Sequence, residues 1–481
     1  MSIRLISYLL GQTTILAGIS MLIPLVYTVV KKTAEMPAFF ASAIIVMCAG
    51  ELFLHIGKEH PDRMNVMEGA AFMFGGSAVL AVCGMLPYLL SGNLSLVDSF
   101  FESVSNLTTT GITFFSQDSP YSLRFWGGII SWLGGLCFVM ILVTILPQVV
   151  GGFGLTISRE QNLMFSPVLG RMRRMAGQAA MVYLAMTAFT TLLYYIADLG
   201  PIDSLLAAML TLSTNGGSQQ MGFIVRNSVA LEMAAIIAML IASTNFLMLW
   251  QAVHHRSFKE FFSDVELRVF LLMVAVFTLI VAWHLNWTGT YDSISESLRY
   301  SLFAVVSFAS TSGFIAAPVE DWPDFDRFVL LLLVFVGGCI GSSTGGLKVK
   351  RFLILFKMAL SEAERTLHPH MVADIRVGEQ HVSRLGVLRV LSYFFLFLAT
   401  FYVFILFLTI ADITMPEAAG MAVGMLSSVG TASGLYGHET LIDLPGWTKL
   451  GCCFFMLLGR LQIFGVLLLV SGTSRRQENR W

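Results

Sequence analysis

Four strings of small and hydroxylated residues recur in this sequence, each ending on glycine: Thr108–Thr109–Thr110–Gly111, Ser213–Thr214–Asn215–Gly216, Ser310–Thr311–Ser312–Gly313 and Gly430–Thr431–Ala432–Ser433–Gly434. Glycine allows dihedrals that other residues cannot hold, so carbonyls beside it can turn toward one axis. Rings of backbone carbonyls can replace the hydration shell of an ion, and hydroxyls can tie such a strand to its surroundings. One string carries little weight, because Thr and Gly are common at packing contacts between membrane helices. Four strings, each behind a short stretch with an acid near its start (Asp98, Asp203, Glu296, Glu417), point to ion coordination. In the first, Asp98 and Ser99 read as N-caps of a helix over about 99–108. The C-terminus of such a helix carries about −0.5 of a charge, which favours a cation at the string that follows.

Two further features bear on an ion path. Gly337–Gly338–Cys339–Ile340–Gly341–Ser342–Ser343–Thr344–Gly345–Gly346 interrupts an apolar run. Glycines at about 1 kcal/mol each exclude a stable helix there. A phosphate cradle would need Gly-Lys-Ser/Thr, and Leu347 separates Gly346 from Lys348. Arg460 falls inside the last apolar run. Its insertion cost of about 2.5–3.5 kcal/mol requires it to face the bundle interior or water.

The elements that would position these residues are membrane spans. The chain has 481 residues, 56% hydrophobic and 12% charged, with a mean hydropathy of +0.77. A soluble fold of that composition would expose large apolar patches. About ten runs are long and apolar enough to cross a bilayer: 6–30, 37–55, 69–91, 125–149, 177–199, 229–252, 268–288, 327–358, 386–411 and 447–471. The four strings fall in the gaps 92–124, 200–228, 289–326 and 412–446. Each gap is too polar to span and too apolar for a loop, the signature of a re-entrant segment, which is tolerated at membrane depth only where protein or a water-filled cavity surrounds it. Repetition roughly every hundred residues divides the chain into an N-terminal pair of spans (1–66) and four repeats of span, pore helix, filter and span: 67–150, 151–258, 259–365 and 366–481. The fold class is therefore all-α, integral to a membrane.

Only Lys31, Lys32, Arg124, Arg226, Arg299, Arg327 and Lys449, of 29 basic residues, fall on the side of the re-entrant gaps. The positive-inside rule then puts both termini in the cytoplasm. Lys348, Lys350 and Arg351 read as anchors of that kind. The six cysteines match no zinc or disulfide spacing and read as buried, reduced hydrophobes. Nothing points to an enzyme, and no nucleic-acid partner is expected; the net charge of −1 says nothing about partners.

The strings DSFFESVSNLTTTGITFF, SFASTSGF, GGCIGSSTGGLKVKRF and MLLGRLQIFGVLLL resemble the TrkH branch of the Trk/Ktr/HKT potassium transporters. The resemblance covers nearly the whole chain. It implies four linked pore repeats around one pore, a homodimer in a bacterial inner membrane, and a TrkA-like cytoplasmic nucleotide-binding subunit that gates it. It implies a filter at Thr110–Gly111, Asn215–Gly216 and Ser312–Gly313, with potassium held at Thr110, Asn215, Ser312 and Thr431. In the fourth repeat the sequence departs from the family's strings, and either Ser433 or Gly434 stands at the glycine level. Asn215 replaces a more usual threonine, and Gln462 stands where a glutamate is usual near Arg460. Gly111 argues for potassium, since serine there accompanies sodium transport in plant relatives. The stretch Gly337–Gly346 becomes an intramembrane loop that obstructs the inner pore beside Arg460. A sodium- or proton-coupled symporter and a sodium-permeable channel are the alternative functions.

Overall fold

The computed structural model describes residues 3–58, 66–116, 118–144, 168–216, 222–368, 375–378, 380–437 and 444–463. It is helical nearly throughout; among the described residues the only sheet is one short hairpin, Arg376–Val377 with Gln380–His381. Seven helices are long and apolar enough to cross a bilayer: Ile3–Lys31, Met36–Ile56, Ala71–Leu90, Tyr121–Met140, Gly177–Ile196, Val265–Trp287 and Arg384–Thr409. The remaining three spans expected from sequence take other forms. Residues 229–252 are two helices, Val229–Ala242 and Phe246–His254, bent by 94°. Residues 327–358 split into Asp324–Val336 and Val349–Leu367 around the glycine-rich stretch. The last helix is Gly446–Arg460, and the rest of its expected span lies outside the described residues.

The unexpected bend has a local cause. Asn245 adopts an extended conformation and its side chain accepts from the amides of Leu247 and Met248, capping a new helix within the apolar run. Ser243–Thr244–Asn245 was the available signal, hidden by the hydropathy of its flanks.

Four short helices lie between the spans: Leu96–Leu107, Pro201–Ser213, Ile294–Ala309 and Met415–Leu426. The first starts earlier than expected. Ser95, not Asp98 or Ser99, is its N-cap and accepts from the Asp98 amide. Asp98 sits in the first turn, where a carboxylate suits the helix dipole. The fourth opens with a capping box between Thr414 and Glu417. These four helices form the centre.

The long helices surround them, and their burial differs accordingly. Two-thirds of the residues of Tyr121–Met140 are buried (67%), against 28% for Met36–Ile56 and for Arg384–Thr409. Leu406, Phe395 and Leu272 are exposed on outer faces, as lipid contact requires. Cys48 is also on such a face, so it is not buried; Cys83, Cys339, Cys452 and Cys453 are. The N-terminal pair packs on itself through glycines, Gly18 meeting Met47 and Gly50 meeting Ile15 at contact distance. It leans on the first repeat through Phe39, edge-on to Trp126.

Polar ties cross every seam between repeats. Asn215 of the second donates to Asn106 of the first, 3.2 Å. Arg299 of the third grips Glu232 of the second with two hydrogen bonds of 2.7 Å. Arg327 donates to the carbonyl of Leu435, 3.0 Å, joining third to fourth. Lys449 pairs with Asp98, 2.6 Å, closing fourth onto first. Glu232 is 2% exposed. Replacing Arg299 by methionine strands that carboxylate and lowers stability by about 3 kcal/mol. The double variant with Glu232→Leu recovers most of the loss, and thermal unfolding of the purified protein in detergent measures both.

Candidate functional site

Each of the four short helices ends in the same way. The second residue past the helix, or the first in the second helix, turns left-handed: Thr109 (φ 56°), Thr214 (57°), Thr311 (54°) and Ser428 (59°). The residue after it returns its amide to a carbonyl five positions back. These bonds are Thr110 to Ser105 (2.8 Å), Asn215 to Leu210 (2.9 Å), Ser312 to Ser307 (2.9 Å) and Val429 to Gly424 (2.6 Å). Left-handed Thr and Ser are strained, and here the helix-end bonds hold them. The pattern puts Thr110–Gly111, Asn215–Gly216, Ser312–Gly313 and Val429–Gly430 at equivalent places.

Those four dipeptides meet in a closed cycle. A Cβ on Gly111 would strike Asn215 and come within 2.8 Å of the Gly216 amide nitrogen. One on Gly216 would strike Ser312 and Gly313. One on Gly313 would lie 2.6 Å from Thr431 Oγ1 and 3.2 Å from Val429. One on Gly430 would lie 2.6 Å from the Thr110 carbonyl. Glycine is thus required by its neighbour as well as by φ, which is +82° at Gly111 and +70° at Gly313. The C-terminal ends of four helices, with their negative partial charge, converge on this ring.

The fourth repeat differs from the sequence reading. The glycine level is occupied by Gly430, four residues after its helix as Gly111 and Gly313 follow theirs, and not by Ser433 or Gly434. The segment then coils into a 3-10 turn, Gly430–Leu435. Of the residues expected to form this filter, Thr431 touches the ring through its hydroxyl, which donates to the Gly313 carbonyl, 2.8 Å. Ala432 packs against Gly424, the Ser433 hydroxyl donates to the Gly430 carbonyl at 2.5 Å, and Gly434 faces open space. The Gly430 amide donates to the Thr110 carbonyl, 2.6 Å, so the fourth segment binds both neighbours. The sequence match on glycine spacing was displaced by four residues because valine at the ring gives no polar signal.

Beneath the ring lies the stretch Gly337–Gly346, non-helical as expected, with left-handed φ at Gly337, Gly341 and Gly346. Its crest touches three helix ends. The Ser343 hydroxyl donates to the Leu212 carbonyl, 2.6 Å, and the Thr214 hydroxyl to the Ser343 carbonyl, 3.3 Å. The Gly345 amide donates to the Thr311 hydroxyl, 2.8 Å, and Gly345 presses on the Ser427 carbonyl so closely that no side chain fits. The outer part of the loop is held by the bend in the second repeat: Cys339 donates to Ser243 (3.1 Å) and Phe246 to Gly341 (3.2 Å). Gly338 packs on Thr344, and the Ser342 and Thr344 hydroxyls are 2.7 Å apart.

Arg460 reaches this loop, its Nη1 donating to the Ser343 carbonyl, 3.0 Å. Its guanidinium lies 3.9 Å from the centre of the Phe138 ring, a cation–π contact. Its Nε and Nη2 make no hydrogen bond among the described residues. Gln462 faces elsewhere and accepts from Arg351, 2.7 Å. Lys348 and Arg351 are not surface anchors: they are 1% and 7% exposed. The Lys348 ammonium is wrapped by the loop, donating to Thr344 Oγ1 at 2.7 Å. Lys348 and Arg460 thus both touch the loop, and both lie over the Phe138 ring, at 5.9 and 3.9 Å from its centre.

Sequence reasoning missed three buried acids. Glu102 lies behind the first filter segment, Glu232 at the second seam, and Glu266 under the loop, where Oε1 accepts from the amides of Ile340 (2.7 Å) and Lys350 (3.2 Å). Glu232 alone carried a signal, a lone acid in an apolar run; Glu266 is masked by Asp264 and Arg268, and Glu102 lies in a polar gap after Asp98. Among the described residues no cluster of His, Cys, Asp or Glu has the form of a metal site.

The comparisons agree with this architecture. A family model described as TrkH, cation transport protein, matches residues 35–477. A Trk system potassium uptake protein TrkH of Halomonas elongata is 30% identical over 98% of each chain. The TrkH of Escherichia coli K12 is 27% identical over 99% of this chain and 100% of its own. The crystal structure of the potassium transporter TrkH from Vibrio parahaemolyticus superposes with a TM-score of 0.90 at 27% identity, covering 99% of this chain and 100% of that one.

Glu266→Ala would leave two buried amides without an acceptor, at about 1–3 kcal/mol each. Hydrogen–deuterium exchange of a peptide spanning Ile340 and Lys350 then rises about tenfold, while a peptide spanning Thr108–Gly111 keeps its protection.

Proposed function

On the premise that this chain belongs to the TrkH family of cation transport proteins, we propose that it carries potassium across the cytoplasmic membrane through a channel-like pore. The ions would pass along the axis of the ring made by Thr110–Gly111, Asn215–Gly216, Ser312–Gly313 and Val429–Gly430. The observation that carries this reading is the fourfold equivalence of those segments, each at the C-terminus of a short helix and each against the next. Carbonyl oxygens there would replace the water lost by the ion, and helix ends would stabilise its charge. Potassium is the cargo and no resident cofactor is invoked.

Below the ring, the loop Gly337–Gly346 with Arg460 would be the closed inner gate. Its attachments to the second, third and fourth helix ends fit an obstruction. In this reading both termini are cytoplasmic in a bacterial inner membrane, the chain is a homodimer, and a TrkA-like nucleotide-binding subunit works the gate from the cytoplasm. Curated relatives are named as parts of a Trk system, which supports a partner of that kind.

Proteoliposome uptake of rubidium tests the conduction. Wild-type protein should take up rubidium faster than protein-free vesicles, and sodium should compete poorly. Gly111→Asp should abolish uptake at unchanged expression, since a side chain there collides with Asn215. Arg460→Ala should raise uptake in the absence of any cytoplasmic subunit; an unchanged rate would move the gate elsewhere. A coupled symporter is the second reading, favoured by buried Glu102. It requires uptake to follow a proton or sodium gradient, whereas channel-like uptake persists when both gradients are collapsed and a potassium-diffusion potential is set.

A further inference from the structure

Asn215 uses its donor and leaves its acceptor idle. Its Nδ2 donates to Asn106 Oδ1, 3.2 Å, and to the Ser131 hydroxyl. Its Oδ1 has no hydrogen-bond partner, although the residue is 1% exposed. That oxygen lies against the backbone of Gly111, where any added Cβ would collide with it. A buried, unpaired amide oxygen is costly, and this one stands at the ring.

Its direction is set two residues away. Glu102 is 1% exposed on the first short helix. Its Oε2 accepts from the Phe114 amide, 2.9 Å, and its Oε1 from the Thr113 hydroxyl, 2.7 Å, and from Asn106 Nδ2, 2.9 Å. Asn106 Nδ2 also donates to the Glu102 backbone carbonyl, 3.0 Å; an ionised carboxylate and a carbonyl both only accept, so Asn106 turns its NH2 toward that residue. Asn106 Oδ1 then faces Asn215, which must answer with its own NH2. The oxygen of Asn215 is left facing the ring. The Ser131 hydroxyl donates to the Gly127 carbonyl, 2.8 Å, so its oxygen is free to accept from Asn215 Nδ2.

We propose that Asn215 Oδ1 is a further oxygen ligand for the conducted monovalent cation, and that Glu102 and Asn106 are a positioning pair that keeps it turned to the ring. This rests on the conduction reading above. A side-chain amide oxygen is the same kind of neutral ligand as a peptide carbonyl, so it strengthens binding without the charge that would trap an ion. The cation supplies the partner that the idle oxygen lacks.

Glu102→Gln makes the decisive variant. The Phe114 amide still needs an acceptor, so the new NH2 group faces Asn106. Asn106 then exchanges its 3.0 Å bond to the Glu102 backbone carbonyl for one from the new NH2 group, turning its own NH2 toward Asn215, and Asn215 turns its NH2 to the ring. The filter sequence is unaltered, yet a ligand has become a donor. In reconstituted full-length protein, the half-saturating rubidium concentration should rise about tenfold, the factor equivalent to about 1.4 kcal/mol. Asn215→Ala should raise it by a similar factor, and the double variant should go no higher. Maximal uptake and thermal unfolding separate ligand loss from misfolding. Asn106→Leu, which breaks the relay at similar size, replaces Glu102→Gln if that variant is unstable. Protein that takes up no rubidium either as wild type or with Arg460→Ala overturns the conduction reading and this one with it. Wild-type uptake with unchanged half-saturation in the variants, or with effects that multiply to about a hundredfold in the double variant, overturns the relay alone.

Discussion

Backbone that leaves the helix inside a bilayer must find hydrogen-bond partners within the protein, because lipid supplies none. That requirement governs the centre of this molecule. Four segments leave helical geometry at the ring, and a fifth, Gly337–Gly346, does so below it. Each ring segment meets the requirement locally first, by the amide bond back to the preceding helix at Thr110, Asn215, Ser312 and Val429. The remaining groups are met by neighbours. Gly430 serves the Thr110 carbonyl, Thr431 serves the Gly313 carbonyl, and the loop takes the Leu212 carbonyl and the Thr311 hydroxyl. No segment could stand in lipid alone.

The same requirement explains why glycine and hydroxylated residues dominate here. Strands that satisfy one another must approach closely, and at Gly216, Gly345 and Gly430 a methyl group would already strike a neighbouring carbonyl. Hydroxyls bridge gaps too small for water. The Thr108 and Thr110 hydroxyls are 2.8 Å apart, as are, at 3.0 Å, those of Ser310 and Ser312. The surrounding helices need none of this. They satisfy their own backbones and contribute apolar surface, with the polar ties at the seams setting the order of the repeats. Those ties involve buried charge, which is weak as a source of stability but strong as a penalty for misassembly.

Quasi-fourfold symmetry is then broken in two places. The fourth segment coils into a 3-10 turn and donates to both neighbours, while Asn215 gives the second segment an amide. Below the ring, among the described residues, the third repeat carries the loop and the second carries the bend at Ser243–Asn245 that receives it. Segments with matching helix ends thus differ in what they contact below the ring.

Much was legible in the amino-acid order. Hydropathy determined a membrane protein, since an apolar run of twenty residues has few alternatives, and each of the four polar gaps holds one of the short helices. The glycine strings marked three ring segments, and the density of glycine excluded a helix at Gly337–Gly346, because these are local backbone properties. Arg460 stood out because a charge in an apolar run must have a purpose. Contacts between distant segments were decided only by the tertiary structure. Val429–Gly430 takes the ring position because Ser428 and the Val429 amide close the helix end, and hydrogen bonding outranked the resemblance of glycine patterns. Glu102 went unread as a buried acid, and its link through Asn106 to Asn215 joins residues over a hundred positions apart; such a link depends on how the helices pack and on nothing that either sequence neighbourhood contains.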